Sequence, residues 1–334
     1  MEDKAVAALS KEQLKENVRA IILLQGNTYI KELLRLHGVK IGATKKDFAQ
    51  NIADAVDDGR LNQAKIEAWL NEVEGWGNQH LYLFAAPSVT PQDVAVLLAQ
   101  SDFKDLIGKK QDYDFPEQFT LSNIAHEPDR LSIVWHLGKE GWDRAKYKDY
   151  AKTIGLERYR FEAYRQRMDR SILRFEWRFA DAYCAILVHR NKDIDHEEAM
   201  TIVWQILQTL KICDAPCARL SLSDAVKMAS KEKGTKNARL EADGGFVELV
   251  STLKDGGIDE VEAVRHARNA VNDAEFARAQ GMFDIATGGE ADETIAVQVF
   301  GSEGRLRLWA QCKRDVVYAV VDRVMKHNAP VADG

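Results

Sequence analysis

Residues 28–52 read TYIKELLRLHGVKIGATKKDFAQNI, and this stretch decides the character of the N-terminal part of the chain. Apolar side chains recur at helical spacing on both sides of a short loop. The loop starts at Gly38, a residue type that commonly ends helices, and Thr44 is a residue type that commonly caps the start of one. The pattern predicts two helices joined by a loop, within a segment of four helices that ends near residue 78.

The same stretch resembles the SAP motif, a helix–extended loop–helix found in DNA-associated proteins. Its pattern has apolar residues on the first helix, then Gly and an apolar residue, then Thr-Lys at the start of the second helix. The residues that match without a gap are Ile30, Leu33, Leu34, Gly38, Val39, Thr44, Lys45, Phe48 and Ile52. Two positions depart from the family pattern, because Ala43 replaces a loop Gly and Asn51 replaces a common Arg. The resemblance covers about 25 of the 334 residues and implies a DNA-binding module.

Basic side chains are concentrated in this helical stretch. Residues 28–46 contain five lysines and arginines and one acidic residue, Glu32. The free amides at a helix start can accept a phosphate, so contacts to the DNA backbone are expected rather than base recognition. An alternative is a packed helical hairpin with solvated lysines, or a module that docks a protein. The predicted DNA-binding residues of this module are Lys31, Arg35, Lys40, Thr44, Lys45 and Lys46.

Beyond residue 78 the apolar pattern changes from helical spacing to short strands mixed with helices. Residues 131–137, for example, alternate apolar and polar side chains over part of their length. The sequence therefore predicts an α+β fold, in which an N-terminal four-helix SAP-like module precedes two mixed modules of strands and helices. The predicted divisions are a helical module over 1–78, an α+β domain over 79–212, a connector over 213–236 and a C-terminal α+β domain over 237–334.

Residues 157–179 combine seven arginines with interleaved aromatic side chains. We predict a hairpin of two strands, 158–166 and 172–179, whose alternation separates a basic face from an aromatic one. The basic face either lies along a phosphate backbone or is neutralised across the strands by Glu162 and Glu176, and both interpretations stay open here. The candidate DNA-binding residues are Arg158, Arg160, Arg174 and Arg178, with Phe175, Trp177 and Phe179 on the opposite face.

Composition excludes several classes of protein. The 46 Lys and Arg against 52 Asp and Glu give a net charge of −6, so any contact with nucleic acid must be local. No apolar run reaches the roughly 20 residues of a membrane helix, and the charged start of the chain lacks the apolar core of a signal peptide, so we expect a cytoplasmic protein without membrane contact. Only Cys213 and Cys217 of the four cysteines are close in sequence, which is too little for a zinc site.

Local enzyme motifs are missing from the sequence, including the phosphate-binding loop, G-x-S-x-G, H-E-x-x-H and G-x-G-x-x-G. We therefore predict no cofactor and favour a non-enzymatic protein that binds DNA. Duplex DNA is the expected partner, with a protein partner or a second copy of the chain as further partners. The alternatives are an assembly subunit and a divergent nuclease whose site is assembled from distant residues, such as the eight scattered histidines. A prokaryotic mobile-element or phage-defence protein is compatible with this architecture, although no residue demonstrates that role.

Overall fold

The computed structural model describes residues 11–108, 113–229, 235–242, 245–251, 257–270, 275–285 and 293–328. Its helices are α1 (Lys11–Leu24), α2 (Asn27–Leu36), α3 (Lys45–Asp57), α4 (Gln63–Val73), α5 (Pro91–Gln100), α6 (His196–Thr209), α7 (Ser223–Ala229), α8 (Glu262–Ala270) and α9 (Arg314–Asn328). Its strands are β1 (Gln79–Ala85), β2 (Thr120–Glu127), β3 (Arg130–Arg144), β4 (Tyr150–Ile154), β5 (Glu157–Phe161), β6 (Tyr164–Arg178), β7 (Tyr183–His189), β8 (Thr235–Ala242), β9 (Gly245–Val250), β10 (Glu275–Ile285), β11 (Glu293–Phe300) and β12 (Arg305–Leu308).

The predicted α+β class is confirmed, with helices at the N-terminal end and a large antiparallel sheet. Ten strands form this sheet in the order β2-β3-β6-β7-β1-β12-β11-β10-β8-β9, while β4 and β5 pair separately. Among the helices of the described residues, none is long and apolar enough to cross a bilayer.

The chain divides into two compact units, each built from three segments. The first unit comprises Met1–Gln63, Gln111–Leu121 and Trp135–Ser171. The second comprises Ala64–Lys110, Ser122–Val134 and Ile172–Gly334. This grouping assigns nearly all of α4 to the second unit, whereas the sequence predicted one helical module over residues 1–78.

In the first unit, α2 and α3 occupy the two predicted helical stretches. Gly38 follows α2 with a φ of +64°, in the left-handed region that favours glycine. The backbone N–H of Val39 donates to the Leu34 carbonyl at 2.8 Å, which satisfies one of the free carbonyls at the helix end. The apolar residues of the motif are buried, as their helical spacing predicted, and they are Ile30, Leu33, Leu34, Val39, Phe48 and Ile52.

In the second unit, alternation along β1 assigns its side chains to two different faces of the sheet. Leu81 pairs with Leu306 of β12 and Leu187 of β7, and these leucines lie in the core together with residues of α7 and α9. His80 pairs with Arg307, so the neighbouring side chains in each strand lie on the other face. That face is lined by α6, whose His196 ring is 4.7 Å from the His80 ring, measured between centroids.

The predicted hairpin of residues 158–166 and 172–179 is wrong. Instead, β5 pairs with β4, and β6 runs through residues 164–178 as a single strand. The actual turn is at Gly155, which has a φ of +66° and begins a two-residue turn of the kind that joins hairpin strands. Residues 166–171 contain no glycine or proline that would reverse the chain.

Candidate functional site

The N-terminus of α3, where a phosphate contact was expected, is already occupied by a carboxylate of the protein. Thr44 caps the helix, its hydroxyl accepting from the Asp47 backbone N–H at 3.2 Å. Asp47 Oδ2 accepts in turn from the backbone N–H groups of Thr44 and Ala43, at 2.9 and 3.0 Å. The hydrogen bonds with Thr44 hold the pKa of Asp47 below its ordinary value. A phosphate at this point would have to displace an anion, so Thr44 is a weaker candidate than its lysine neighbours.

The other basic residues of the helical module lie near its surface. Arg35, Lys40 and Lys46 are exposed and Lys31 is half-buried. The side chain of Lys45 lies outside the described part of the chain. Asn51, at the position where the SAP pattern commonly has Arg, donates to the Lys40 carbonyl at 2.8 Å and so ties α3 to the loop.

Arg174 is buried, which contradicts the predicted exposed basic face on this strand. Its side chain is only 9% exposed and donates to Ser132 Oγ at 3.0 Å and to the Glu74 carbonyl at 3.2 Å. Its guanidinium carbon also lies 4.2 Å from the ring centroid of Trp76. Glu176 on the same strand is 5% exposed and accepts from the Tyr318 hydroxyl at 2.5 Å. Both faces of this part of β6 are therefore buried, the face that carries Arg174 and Glu176 as well as the aromatic face.

Arg178 is also held within the protein. It donates to Asp181 at 2.6 Å, to the Tyr183 hydroxyl at 2.6 Å and to both carboxylate oxygens of Asp322. Of the two interpretations of this face, the structure favours the salt-bridged one for Arg178, with Asp181 and Asp322 as partners in place of those expected. Arg174 is buried, but its hydrogen bonds go to a hydroxyl and a backbone carbonyl. Trp177 is buried, as predicted for the aromatic face.

Arg158 and Arg160, in contrast, lie on an exposed two-stranded ribbon formed by β4 and β5, all of whose residues are exposed. Register puts the side chains of Arg158 and Arg160 on one face of the ribbon and those of Tyr159 and Phe161 on the other, as alternation predicted. The aromatic side is exposed and forms no core, and on it Phe161 stacks on Tyr150 at a centroid distance of 4.8 Å. We call the exposed basic and aromatic side chains on and beside these strands the ribbon surface, which comprises Trp142, Lys146, Tyr147, Lys148, Tyr150, Lys152, Arg158, Tyr159, Arg160, Phe161 and Tyr164.

Ion pairs at the base of the ribbon engage most of the acids near this surface. Arg144 binds Asp149 through two bonds of 2.5 and 2.6 Å and lies 3.2 Å from Glu162. Asp149 also accepts from the Ala163 backbone N–H at 3.1 Å. The bond with Arg144 is the main reason that the pKa of Asp149 is well below its ordinary value. The acids are thus used to hold the ribbon, and within the described structure no ion pair engages Lys146, Lys148, Lys152 and Arg158.

Sequence reasoning missed the lysines of the ribbon surface and three of its six aromatic residues, Trp142, Tyr147 and Tyr150. The signal that could have found them is Gly155, which separates two short stretches of alternating residues, because a glycine at the centre of such a pair favours a hairpin.

Three of the cysteines interact although they are distant in sequence. Hydrogen bonds with Cys184 and with Cys213 lower the pKa of Cys217 to about 7, whereas burial raises the pKa of Cys213 to about 11. Within the described residues, no group of three or more His, Cys, Asp or Glu side chains is arranged to hold a metal ion.

We expect Cys217 to be the most reactive thiol, because the thiolate is the nucleophile and Cys217 has the largest thiolate fraction near neutral pH. Iodoacetamide at pH 7.5, followed by mass spectrometry of the peptides, should label Cys217 before Cys213 and before the buried Cys184 and Cys312. A Cys217→Ser variant should lose the fast phase of labelling. Earlier labelling of Cys213 would contradict this order.

No family model matches this chain, and no curated protein shows significant similarity to it. The resemblance to the SAP motif therefore depends on residues 28–52 alone.

Proposed function

We propose that this chain binds nucleic acid, duplex DNA first of all, through phosphate contacts made by the ribbon surface and the helical module, and that it does so without catalysis. The observation that supports this best is the ribbon of β4 and β5, which is exposed on both faces and carries Arg158 and Arg160 on one face and Lys152 on the other.

The charge on the ribbon surface is available to a partner. The basic residues between 139 and 165 outnumber the acidic ones by eight to five, and Arg144, Arg160 and Arg165 account for the ion pairs with Asp143, Asp149 and Glu162. Lysines without such a pair can neutralise phosphates and release bound counterions, which is the main source of affinity for a nucleic-acid backbone. A ribbon of two strands also has dimensions that fit the major groove.

The helical module adds basic side chains of the same kind. Arg35, Lys40 and Lys46 are exposed, and backbone contacts from such residues position a protein without reading sequence. We therefore expect binding with little sequence preference and with a strong dependence on salt.

An assembly role is the second candidate, because the tip of the ribbon is apolar. Leu156 is fully exposed and Ile154 is half exposed. Exposed apolar groups of this size favour a protein interface, in which the same surface would dock a partner.

The test is a salt-titrated binding assay with the full chain and labelled duplex DNA, single-stranded DNA and RNA. Replacing Lys146, Lys148 and Lys152 together by Gln removes about three phosphate contacts, so the slope of log K against log salt should fall by about 2–3. The matched control replaces three exposed lysines of the second unit, Lys104, Lys211 and Lys326, by Gln and should leave the slope unchanged.

A second arm examines the helical module with Lys45→Glu and Lys46→Glu together, for which the slope should fall by about 1.8 if two phosphates are contacted. The loss should be similar for unrelated DNA sequences. An unchanged slope in both folded variants would contradict the proposal. Absence of binding by the unaltered chain at low salt would favour the assembly role, which Leu156→Ser should then impair.

A further inference from the structure

A polar cavity of about 560 Å³ lies on the α6 face of the sheet in the second unit. Its lining contains three side chains that are permanently cationic at neutral pH, together with two imidazoles and two amides. The lining residues are Asn78, His80, Arg190, Asn191, Lys192, Ile194, His196 and Arg307. None of them belongs to the ribbon surface or the helical module.

Positive charge in this cavity has little counter-charge from the protein. Within the described part of the chain, Arg190, Lys192 and Arg307 form no ion pair. Three nearby carboxylates are engaged elsewhere, since Glu303 pairs with Arg305 at 2.7 Å, Glu197 pairs with Arg219 at 3.5 Å and Asp195 caps α6. Like charges held together without a counter-ion repel one another, and a bound anion relieves that repulsion.

The pKa shifts of His80 and Arg307 show the same imbalance, whereas Asp195 and Glu197 partly offset the lowering of the His196 pKa by burial. Burial and the neighbouring His196, Arg305, Arg307 and Arg190 lower the pKa of His80 to about 3. Burial, Arg190 and Arg305 also lower the pKa of Arg307. For both groups, every charged neighbour among the causes of these shifts is a cation or a histidine.

The two arginines of the cavity are held in place before any ligand arrives. The guanidinium carbon of Arg307 lies 3.6 Å from a ring centroid of Trp309, and that of Arg190 lies 4.6 Å from the same residue. The backbone at Asn78 is fixed as well, because its N–H donates to the Ala310 carbonyl at 2.8 Å and its carbonyl accepts from the Arg190 N–H at 3.0 Å. Such preorganisation lowers the entropy that binding costs.

The two imidazoles complete the wall of the cavity. Arg305 donates to His80 Nδ1 at 2.9 Å, and a guanidinium can only donate, so the neutral His80 ring carries its proton on Nε2. His196 Nδ1 is 2.6 Å from the Tyr82 hydroxyl, which orients the second ring. Each ring nitrogen Nδ1 is therefore engaged by the protein, and Nε2 is the nitrogen left for a ligand.

We propose that this cavity binds the terminal phosphate of a nucleotide or of a nucleic-acid strand. Guanidinium groups match phosphate oxygens in paired hydrogen bonds, and the ammonium of Lys192 adds a further positive charge. The volume is in the range of small-molecule sites and exceeds the size of a phosphate ion, which leaves room for the sugar and base attached to it. This proposal concerns the second unit and does not rest on DNA binding by the ribbon surface.

Isothermal titration calorimetry with the full chain tests the site. The probes are inorganic phosphate, AMP, ADP and a short oligonucleotide with either a 5′-phosphate or a 5′-hydroxyl. We expect the phosphate-bearing probes to bind, and Arg190→Gln, Lys192→Gln and Arg307→Gln each to weaken that binding at least about tenfold. Lys326→Gln on α9, an exposed lysine of the same unit, serves as the control and should bind as the unaltered chain does.

The probes distinguish the two sources of the phosphate. A preference for the 5′-phosphorylated oligonucleotide over its 5′-hydroxyl counterpart identifies a strand end, whereas binding of AMP or ADP alone identifies a free nucleotide. The proposal is wrong if no phosphate-bearing probe binds at millimolar concentration, or if all three variants bind as well as the control. Lys192 is exposed, so the Lys192→Gln variant should fold normally. If the Arg307→Gln variant does not fold, Lys192→Gln still tests the site.

Discussion

Arg174→Met should lower the free energy of unfolding by about 3–5 kcal/mol, because it leaves a buried carboxylate without its cation. Arg174 stabilises the charge of Glu176, while burial raises the pKa of Glu176 and lowers that of Arg174. The substitution also removes the donors to Ser132 and to the Glu74 carbonyl, which are buried acceptors. Urea unfolding at pH 7, followed by circular dichroism, measures the loss.

Two further variants make this prediction specific. Arg158→Met, on the exposed ribbon, changes the same residue type and should alter stability by no more than about 0.5 kcal/mol. Adding Glu176→Gln to Arg174→Met should restore part of the stability, because the unpaired charge is then absent. If Arg174→Met unfolds at the same urea concentration as the unaltered chain, the buried network contributes nothing.

Acid should destabilise the protein through His80, because the His80 ring takes up its proton at a much lower pH in the folded state than in the unfolded state. The unfolded imidazole titrates near its ordinary pKa of about 6.5, and the folded one at about 3. Between these values the unfolded state binds more protons, so the free energy of unfolding falls as the pH is lowered through this window. A full shift of this size corresponds to nearly 5 kcal/mol, and contact of the ring with the open cavity reduces our expectation to about 2–4 kcal/mol.

Urea unfolding at pH values from 7.5 to 4 in a buffer without phosphate checks this linkage. His80→Gln should lose the His80 component, so its stability should fall less steeply below pH 6.5 than that of the unaltered chain. His266→Gln, at an exposed position on α8, should retain the steep dependence. Parallel curves for His80→Gln and the unaltered chain would show that His80 titrates normally in the folded protein.

The sequence predicted the parts of the fold that depend on local patterns. Helices α2 and α3 follow from regular apolar spacing, a terminating Gly38 and a capping Thr44, all of which act within a few residues. The position of β6 in the sheet does not follow in this way. Alternation assigns Arg174 and Trp177 to opposite faces, but the groups that contact Arg174, among them Ser132 and the Glu74 carbonyl, come from distant parts of the chain.

The two candidate sites also differ in whether they depend on local patterns or on contacts between distant parts of the chain. Arg158 and Arg160 lie on a local hairpin, and local alternation was enough to select them although the turn was predicted at the wrong place. The cavity requires β1 and β12 to become neighbours, which brings His80 opposite Arg307. Arg305 and Arg307 alternate with two leucines along β12, but no local pattern indicates which distant strand lies beside it.

The interleaving of the two units has a consequence for biosynthesis. Residues of the first unit are separated by segments of the second, and its last segment ends at Ser171. At a synthesis rate of roughly 5–20 residues per second, that segment follows α3 after roughly 5–20 s. During this interval α1–α3 lack the rest of their unit, and partly exposed apolar surface at that stage favours chaperone binding on the ribosome. Fragments that stop between residues 64 and 171 should therefore accumulate poorly in cells, whichever unit they were designed to contain.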